Sequence, residues 1–389
     1  MRIGIDARNL SNPRPGGFRT YTAGLVSALA SMDQDNRYEI YYDRLPTFSP
    51  VDLSTNMNPK VVSAPLRPIQ EQLLLPRRMT RDSIDVALFT GNLLPVILPD
   101  CATVVTIHDA IQMKPAITVL RESRGIRQAV VNLYFKLLAA QSARRATLIL
   151  TVSNHARQDI SKCLNIPVEK IYVTYNGINR QVFRSLDPIE VRTQLSDQFQ
   201  LQPGFVLTIG SSDWRKNVQG VLKGYALLPD HLRCKHKLVV VLATAVLKPT
   251  LKSLAQDLGV LNHVTFLENQ NPKSLALLYN AACLYITPSF HESCPLTPLE
   301  AMECGAPVIT SNVSSLPEIV DEAAIKVNPQ SAEEIRDAIH SVLTQTELHE
   351  DLRAKSKKRA SKFSWEDTAR QTLEVLHKAV AMYSKGEVH

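Results

Sequence analysis

A chain of 389 residues is too long for one compact α/β domain and about right for two. With 44% hydrophobic and 21% charged residues it has the composition of a folded globular protein, which excludes a disordered tether, and no apolar run reaches the roughly 18 residues that a membrane span needs. The net charge of +7 is spread widely and accompanies no recognised nucleic-acid motif, so no nucleic-acid partner is expected.

Short apolar or β-branched runs recur with helix-length stretches between them, the pattern of parallel sheets covered by helices on both faces. In the first half, Arg2–Asp6, Tyr38–Tyr42, Val61–Ala64, Asp85–Phe89, Thr103–Ile107, Ala146–Val152 and Ile171–Tyr175 predict strands. In the second half, Phe205–Ile209, Lys237–Leu242, Val264–Leu267, Leu284–Thr287, Pro307–Thr310 and Ala324–Val327 do so. The expected architecture is α/β, with two Rossmann-like, doubly wound parallel-sheet domains facing an interdomain cleft. The polar stretch from Arg180 to Pro203, with Pro188 inside it, places the linker near Arg184–Pro188, so the domains are read as residues 1–185 and 186–365. A last helical pattern, about residues 366–384, follows a second sheet that is already complete and is expected to pack back on the first domain.

The opening MRIGIDARNL passes within a few residues from its apolar stretch into Asp6 and Arg8, which is not a signal-peptide pattern. The six cysteines, Cys101, Cys163, Cys234, Cys283, Cys294 and Cys304, contain no C-x-x-C pair and read as reduced, buried thiols of a cytoplasmic protein.

In chain order, the first candidate for chemistry is Pro15-Gly16-Gly17-Phe18-Arg19-Thr20-Tyr21, a glycine turn opening a helix after the first strand. It lacks the third Gly of the dinucleotide fingerprint, which disfavours a nicotinamide-dependent oxidoreductase. Asp33-Gln-Asp35 resembles a D-x-D metal motif, but it lies at the amino end of the strand Tyr38–Tyr42, on the wrong side of the sheet. It reads as solvent-exposed, and no required metal is expected. Thr106-Ile107-His108-Asp109 ends a strand, where a lone His is more often structural than functional. From Lys114 to Arg145, Arg121, Arg124, Arg127, Lys136, Arg144 and Arg145 interleave with Val130, Val131, Leu133, Tyr134, Phe135, Leu137 and Leu138. That segment reads equally as a peripheral contact with an anionic membrane surface and as an amphipathic helix packed on its own sheet. Ser153 and Asn176-Gly177 stand at strand ends, where a helix cap and a plain turn account for them as well as a binding role does.

Beyond the first strand of the second half comes Ile209-Gly-Ser211-Ser-Asp-Trp-Arg215-Lys216-Asn217. Paired cations at a strand end near a helix N-terminus suit a diphosphate, Arg with forked hydrogen bonds and Lys as a point charge. The strongest constellation is His291-Glu292-Ser293-Cys294-Pro295-Leu296-Thr297-Pro298-Leu-Glu300-Ala-Met-Glu-Cys-Gly305. Thr297 suits an N-cap and Pro298 a first helical position, so the two carboxylates flank a helix N-terminus, a ready anion site. Thr297-Pro-Leu-Glu300 is equally a capping box.

With these motifs the chain resembles, over nearly its full length, the large retaining glycosyltransferase family of GT-B fold called family 4, whose signature is E-x7-E followed by A-M-x-x-G. The resemblance implies a nucleotide-sugar donor and no metal or other cofactor. It implies that Glu292 lies by the transferred sugar, that Glu300 holds the ribose hydroxyls, and that the loop Ser293, Cys294, Leu296 and Thr297 meets the donor. Pro295 replaces a Gly common in relatives and removes one amide. Arg215 and Lys216 would neutralise the leaving pyrophosphate, an amide of Gly16 or Gly17 would touch phosphate, and His108 would reach the sugar. Arg19, Tyr21, Asp109, Ser153 and Asn176 would face the acceptor, although Arg19 and Thr20 depart from the family's G-G-x-G-R-Y loop. The G-S-S-D-W-R-K sequence leans to UDP-glucose, with GDP-mannose close behind, and a saccharide or lipid-linked acceptor in exopolysaccharide or envelope synthesis is the implied second substrate. A non-catalytic nucleotide-sugar binder is the remaining rival; the joint presence of both carboxylates, the basic pair and His108 argues against it.

Overall fold

The computed structural model describes residues 1–12, 16–46, 51–110, 138–211 and 213–386. The chain divides into two compact units, Met1–Gly177 with Trp365–His389, and Ile178–Ser364. The division falls before the linker expected at Arg184–Pro188, because the segment after Gly177 is already bound into the second unit. There Arg180 pairs with Glu303 at 3.2 Å and donates to the carbonyls of Ala360 and Phe363, and the Phe183 ring packs edge-on to Tyr279.

The first unit holds a sheet of seven strands: β1 (Arg2–Asp6), β2 (Arg37–Tyr42), β3 (Met57–Val61), β4 (Val86–Phe89), β5 (Ala102–Thr106), β6 (Leu148–Thr151) and β7 (Ile171–Val173). They lie in the order β3-β2-β1-β4-β5-β6-β7, all parallel. The second unit holds β8 (Phe205–Gly210), β9 (Leu238–Leu242), β10 (Val264–Glu268), β11 (Ala282–Thr287), β12 (Val308–Ser311) and β13 (Ala324–Val327), in the parallel order β10-β9-β8-β11-β12-β13. Central strands such as β4, β5 and β9 are buried along their whole length, as their unbroken Val, Leu, Ala and Thr runs require of a sheet covered on both faces. Both sheets are thus Rossmann-like and doubly wound, the two-domain architecture of GT-B proteins.

The strand expected at Val61–Ala64 is instead β3, Met57–Val61. It is an edge strand that buries little beyond Met57 and admits Pro59 opposite Ile40, so it carries no apolar alternation to read. The helix Trp365–Ser384 belongs to the first unit and packs on the helix Gly17–Met32; a Cβ on Gly24 would stand 2.2 Å from Trp365 Cε2, so the close crossing requires glycine there. No helix among the described residues is long and apolar enough to cross a membrane. All six cysteines are free, but Cys163 and Cys234 are exposed, correcting the expectation that every thiol is buried.

Candidate functional site

In each sheet the strand order reverses beside its first strand, between β1 and β4 and between β8 and β11, and loops beyond the carboxyl ends there form the binding crevice of such folds. In the second unit those loops carry the basic pair and the two glutamates.

After β8 the chain makes the short 3-10 turn Trp214–Lys216. Asp213 opens it by accepting from the Arg215 amide at 3.0 Å, and it clasps the same residue's guanidinium through Nε and Nη2. Burial opposes ionisation of Asp213, but these bonds from Arg215 outweigh it and hold the carboxyl below its usual range. Asn217 follows in the left-handed region at φ 52°, buried, and donates to the carbonyls of Pro288 (3.0 Å) and Pro329 (2.7 Å) while accepting from Gly220 N at the head of the helix Val218–Ala226. It therefore ties the basic turn to the loop after β11. A second tie runs from Phe290 N to Arg215 O at 2.8 Å.

That loop presents Glu292. Its amide donates to Ser314 Oγ at 3.0 Å, its carbonyl accepts from Ser315 Oγ at 2.8 Å, and its carboxylate meets Lys216 Nζ at 2.7 Å. Two motifs 76 positions apart thus share one ion pair. The following helix is Leu296–Glu303, with Pro295 at the N-cap and no side-chain cap. The capping box is therefore corrected: Thr297 is inside the first turn, and Glu300 lies a full turn into the helix, too far along to reach back. Its carboxylate instead accepts from Tyr279 Oη at 3.2 Å, on the neighbouring helix Pro272–Ala281. Burial pushes this carboxyl up to about 7, against the pull of Tyr279 and Lys216. The first turn offers the amides of Leu296 and Thr297, and Pro298 has none to give. Ser293 and Cys294, just before it in the chain, are half-buried.

In the first unit Gly16 and Gly17 open the helix Gly17–Met32, and a Cβ on either would meet nothing within 4 Å, so packing does not require glycine at either position. His108, 8% exposed, sits beyond β5 with its amide donating to Asn92 Oδ1 at 2.8 Å and its Nε2 3.1 Å from the carbonyl of Thr90. A carbonyl only accepts, so Nε2 carries the hydrogen and Nδ1 is left as an acceptor. Burial pushes the imidazole down to about 4 despite the Thr90 carbonyl, so it is neutral. The rings of Phe18 and Tyr21 stand edge-on to it, each at 4.7 Å.

Tyr21 is fully buried and bonded to Thr106 Oγ1 at 3.1 Å, so it supports His108 from within the core and does not face an acceptor. Ser153 is buried too and caps the helix Asn154–Leu164, accepting from Ala156 N at 3.1 Å. Arg19 and Asp109 remain half-buried, and Asn176 is buried beyond β7. Asp33, expected in solvent, is 7% exposed and accepts from Tyr38 and Asn36, which makes it a turn-former. In the basic Lys114–Arg145 segment, residues 114–137 lie outside the described residues; Leu138 is buried, and Arg144 and Arg145 are exposed. Ser314, Ser315, Tyr279, Thr90 and Asn92 escaped the sequence reading, because each acts through a partner distant in the chain. Asn217 closes the basic motif in the sequence, where only its helix N-cap type is a local signal and its ties to Pro288 and Pro329 are not.

Residues 15–182 match the family described as Glycosyltransferase Family 4, and residues 193–359 match Glycosyl transferases group 1. Among curated proteins, the O-antigen chain mannosyltransferase B of Escherichia coli is 32% identical over 62% of this chain and 63% of its own length. The serotype-specific mannosyltransferase WbdA of Escherichia coli is 31% identical over 59% of this chain. The match spans 28% of that longer protein. Among solved structures, sucrose-phosphate synthase from Thermosynechococcus elongatus shares the fold over 98% of this chain and 99% of its own, with a TM-score of 0.75 at 18% identity.

Proposed function

Because the chain belongs to the family 4, group 1 glycosyltransferases, we propose that it transfers a hexose from a nucleotide diphosphate sugar to a saccharide or lipid-linked acceptor in polysaccharide synthesis. The observation that supports this reading is the Lys216–Glu292 pair at 2.7 Å, which joins a cation suited to phosphate to a carboxylate suited to sugar hydroxyls, on the loop that leads into the helix opening at Leu296 without a side-chain cap. Diphosphate oxygens suit those amides with Lys216 and Arg215, the sugar hydroxyls suit Glu292, and the ribose diol suits Glu300. We assign the acceptor to the first unit, where Arg19, Asp109 and Asn176 are the remaining candidates and His108 offers its neutral Nδ1.

The reaction we propose retains the anomeric configuration. The C1–O bond to phosphate breaks with its electron pair passing to the phosphate oxygen, the acceptor oxygen attacks C1 on the same face, and its proton passes to that phosphate oxygen. The protein forms no bond to the sugar; fixed charges and amides stabilise the departing diphosphate. We expect no metal in this step.

The names of the relatives at 31–32% identity put a mannosyl donor first, ahead of the UDP-glucose to which the residues after β8 lean. Incubation with radiolabelled GDP-mannose, UDP-glucose and other nucleotide sugars, scoring transfer or hydrolysis and nucleoside diphosphate release, tests the reading. Absence of release from every donor, with binding intact, returns the chain to a non-catalytic binder.

A further inference from the structure

At the far end of the second sheet, Asp230 and Cys234 lie one turn apart on the helix Asp230–Lys235, and His263 closes the 3-10 turn Leu261–His263 that leads into β10. One ligand atom of each lies within 4.8 Å of the other two. Cys234 Sγ is 3.7 Å from Asp230 Oδ2, and His263 Nε2 is 3.7 Å from Asp230 Oδ1. Metal bonds of about 2.0–2.3 Å in a tetrahedron set ligand atoms roughly 3.5 Å apart. Each contact is close to that spacing, the two reach different oxygens of Asp230, and a small side-chain adjustment from separations within 4.8 Å brings one oxygen, the sulfur and the imidazole nitrogen around a single ion.

We propose that Asp230, Cys234 and His263 form a binding site for a borderline-soft divalent cation, Zn²⁺ before others, with water in the fourth position. Thiolate, imidazole and carboxylate together favour such an ion, whereas Mg²⁺ and Ca²⁺ demand oxygen ligands throughout. Asp230 and Cys234 are exposed and His263 is half-buried, which gives the ion a direct entry path. Cys234 binds as thiolate: the metal–sulfur bond forms as the thiol proton leaves to solvent. Arg233 Nη2, 3.3 Å from Asp230 Oδ1, gives up that contact on binding and keeps its Nη1 bond to the carbonyl of Ala226 at 2.9 Å.

The helix runs into β9 and the turn into β10, so the ion sits at the amino ends of two paired strands, β10 being the sheet's edge. The donor loops follow the opposite, carboxyl ends of β8 and β11. An ion here clips an edge strand to a helix and takes no part in sugar transfer, so this inference stands or falls apart from the proposed reaction.

The test is titration of the metal-free full chain with Co²⁺, then Zn²⁺. A near-ultraviolet thiolate-to-cobalt band is expected, displaced by Zn²⁺, with affinity that strengthens as pH rises and with a higher melting temperature in Zn²⁺. Cys234→Ser should abolish the band, and His263→Ala and the isosteric Asp230→Asn should each weaken binding at least about tenfold, while Cys163→Ser, at the other exposed thiol, leaves it intact. Absence of the band, or a band that survives Cys234→Ser, overturns the site.

Discussion

Lys216 Nζ lies 2.7 Å from Glu292 Oε1, with the two side chains 27% and 14% exposed, so neither motif is set without the other. If the pair orients the reacting sugar and its leaving group, removing either partner disrupts both. Lys216→Ala and Arg215→Ala should each lower kcat by roughly 10²–10³-fold, the scale of a lost oxyanion donor, while the melting temperature moves little because neither packs in the core. Lys216→Ala combined with Glu292→Gln should cost less than the sum of the single changes. Wild-type turnover in either cation variant removes the phosphate assignment.

His108 should contribute no titration to the activity profile between pH 5 and 8, because burial holds its imidazole at about 4. The unfolded chain takes up its proton near the ordinary value of about 6.5, so the stability His108 confers as a neutral group is full above that value and is lost as pH falls toward 4. Between pH 7 and pH 5 the loss should be about 2 kcal/mol in urea melts, and His108→Gln should remove that slope. A kinetic pKa near 6.5 that vanishes in His108→Gln contradicts the buried neutral form.

How much of this was legible in the sequence depended on how local each signal is. The runs of β4, β9 and β11 announce themselves because a strand covered on both faces is nearly continuous in apolar residues, whereas β3, with Pro59 and exposed residues on both faces, could not. The two glutamates and the basic pair were found as motifs, yet the side chains that aim them were not. Tyr279 reaches Glu300 from another helix, and Ser314 and Ser315 hold Glu292 from beyond β12. The capping box at Thr297 was a true sequence pattern without the geometry, since the helix begins at Leu296 and leaves Glu300 a full turn inside. Tyr21 was placed with the acceptor by the loop it belongs to, and the helix turns its ring into the core.

Activity should persist in excess EDTA. The D-x-D carboxylate Asp33 is consumed by Tyr38 and Asn36, and the proposed charge stabilisation uses lysine, arginine and amides. If the Asp230 site binds zinc, chelation should lower the melting temperature and leave turnover unchanged. Complete loss of turnover that Mg²⁺ or Mn²⁺ restores would show a metal at the reacting centre.

Glu300→Gln separates a ribose-binding role from a purely structural one, because the two move stability and affinity in different directions. Burial raises the carboxyl from the ordinary range to about 7, so the native state still holds a proton that the unfolded chain has released. Stability from this group therefore falls as pH rises from about 4.5 to 7, and the full cost remains above 7. Gln cannot ionise and can still accept from Tyr279 Oη, so the variant should melt a few degrees higher at pH 8 and close to wild type at pH 5. Donor binding should go the other way. A ribose diol presents two hydroxyl donors, which a carboxylate accepts together, while Gln offers one acceptor and one amide that would oppose a donor. Loss of a charged hydrogen bond of this kind costs about 1.5–3 kcal/mol, so the donor Kd should rise about tenfold to a hundredfold. Wild-type affinity should also strengthen as pH rises through about 7 and the carboxylate forms, and the Gln variant should lose that dependence. Melting curves and donor titrations at pH 5, 7 and 8 decide it: a stabilised variant with unchanged donor affinity would leave Glu300 as a half-buried acid held by Tyr279 and nothing more.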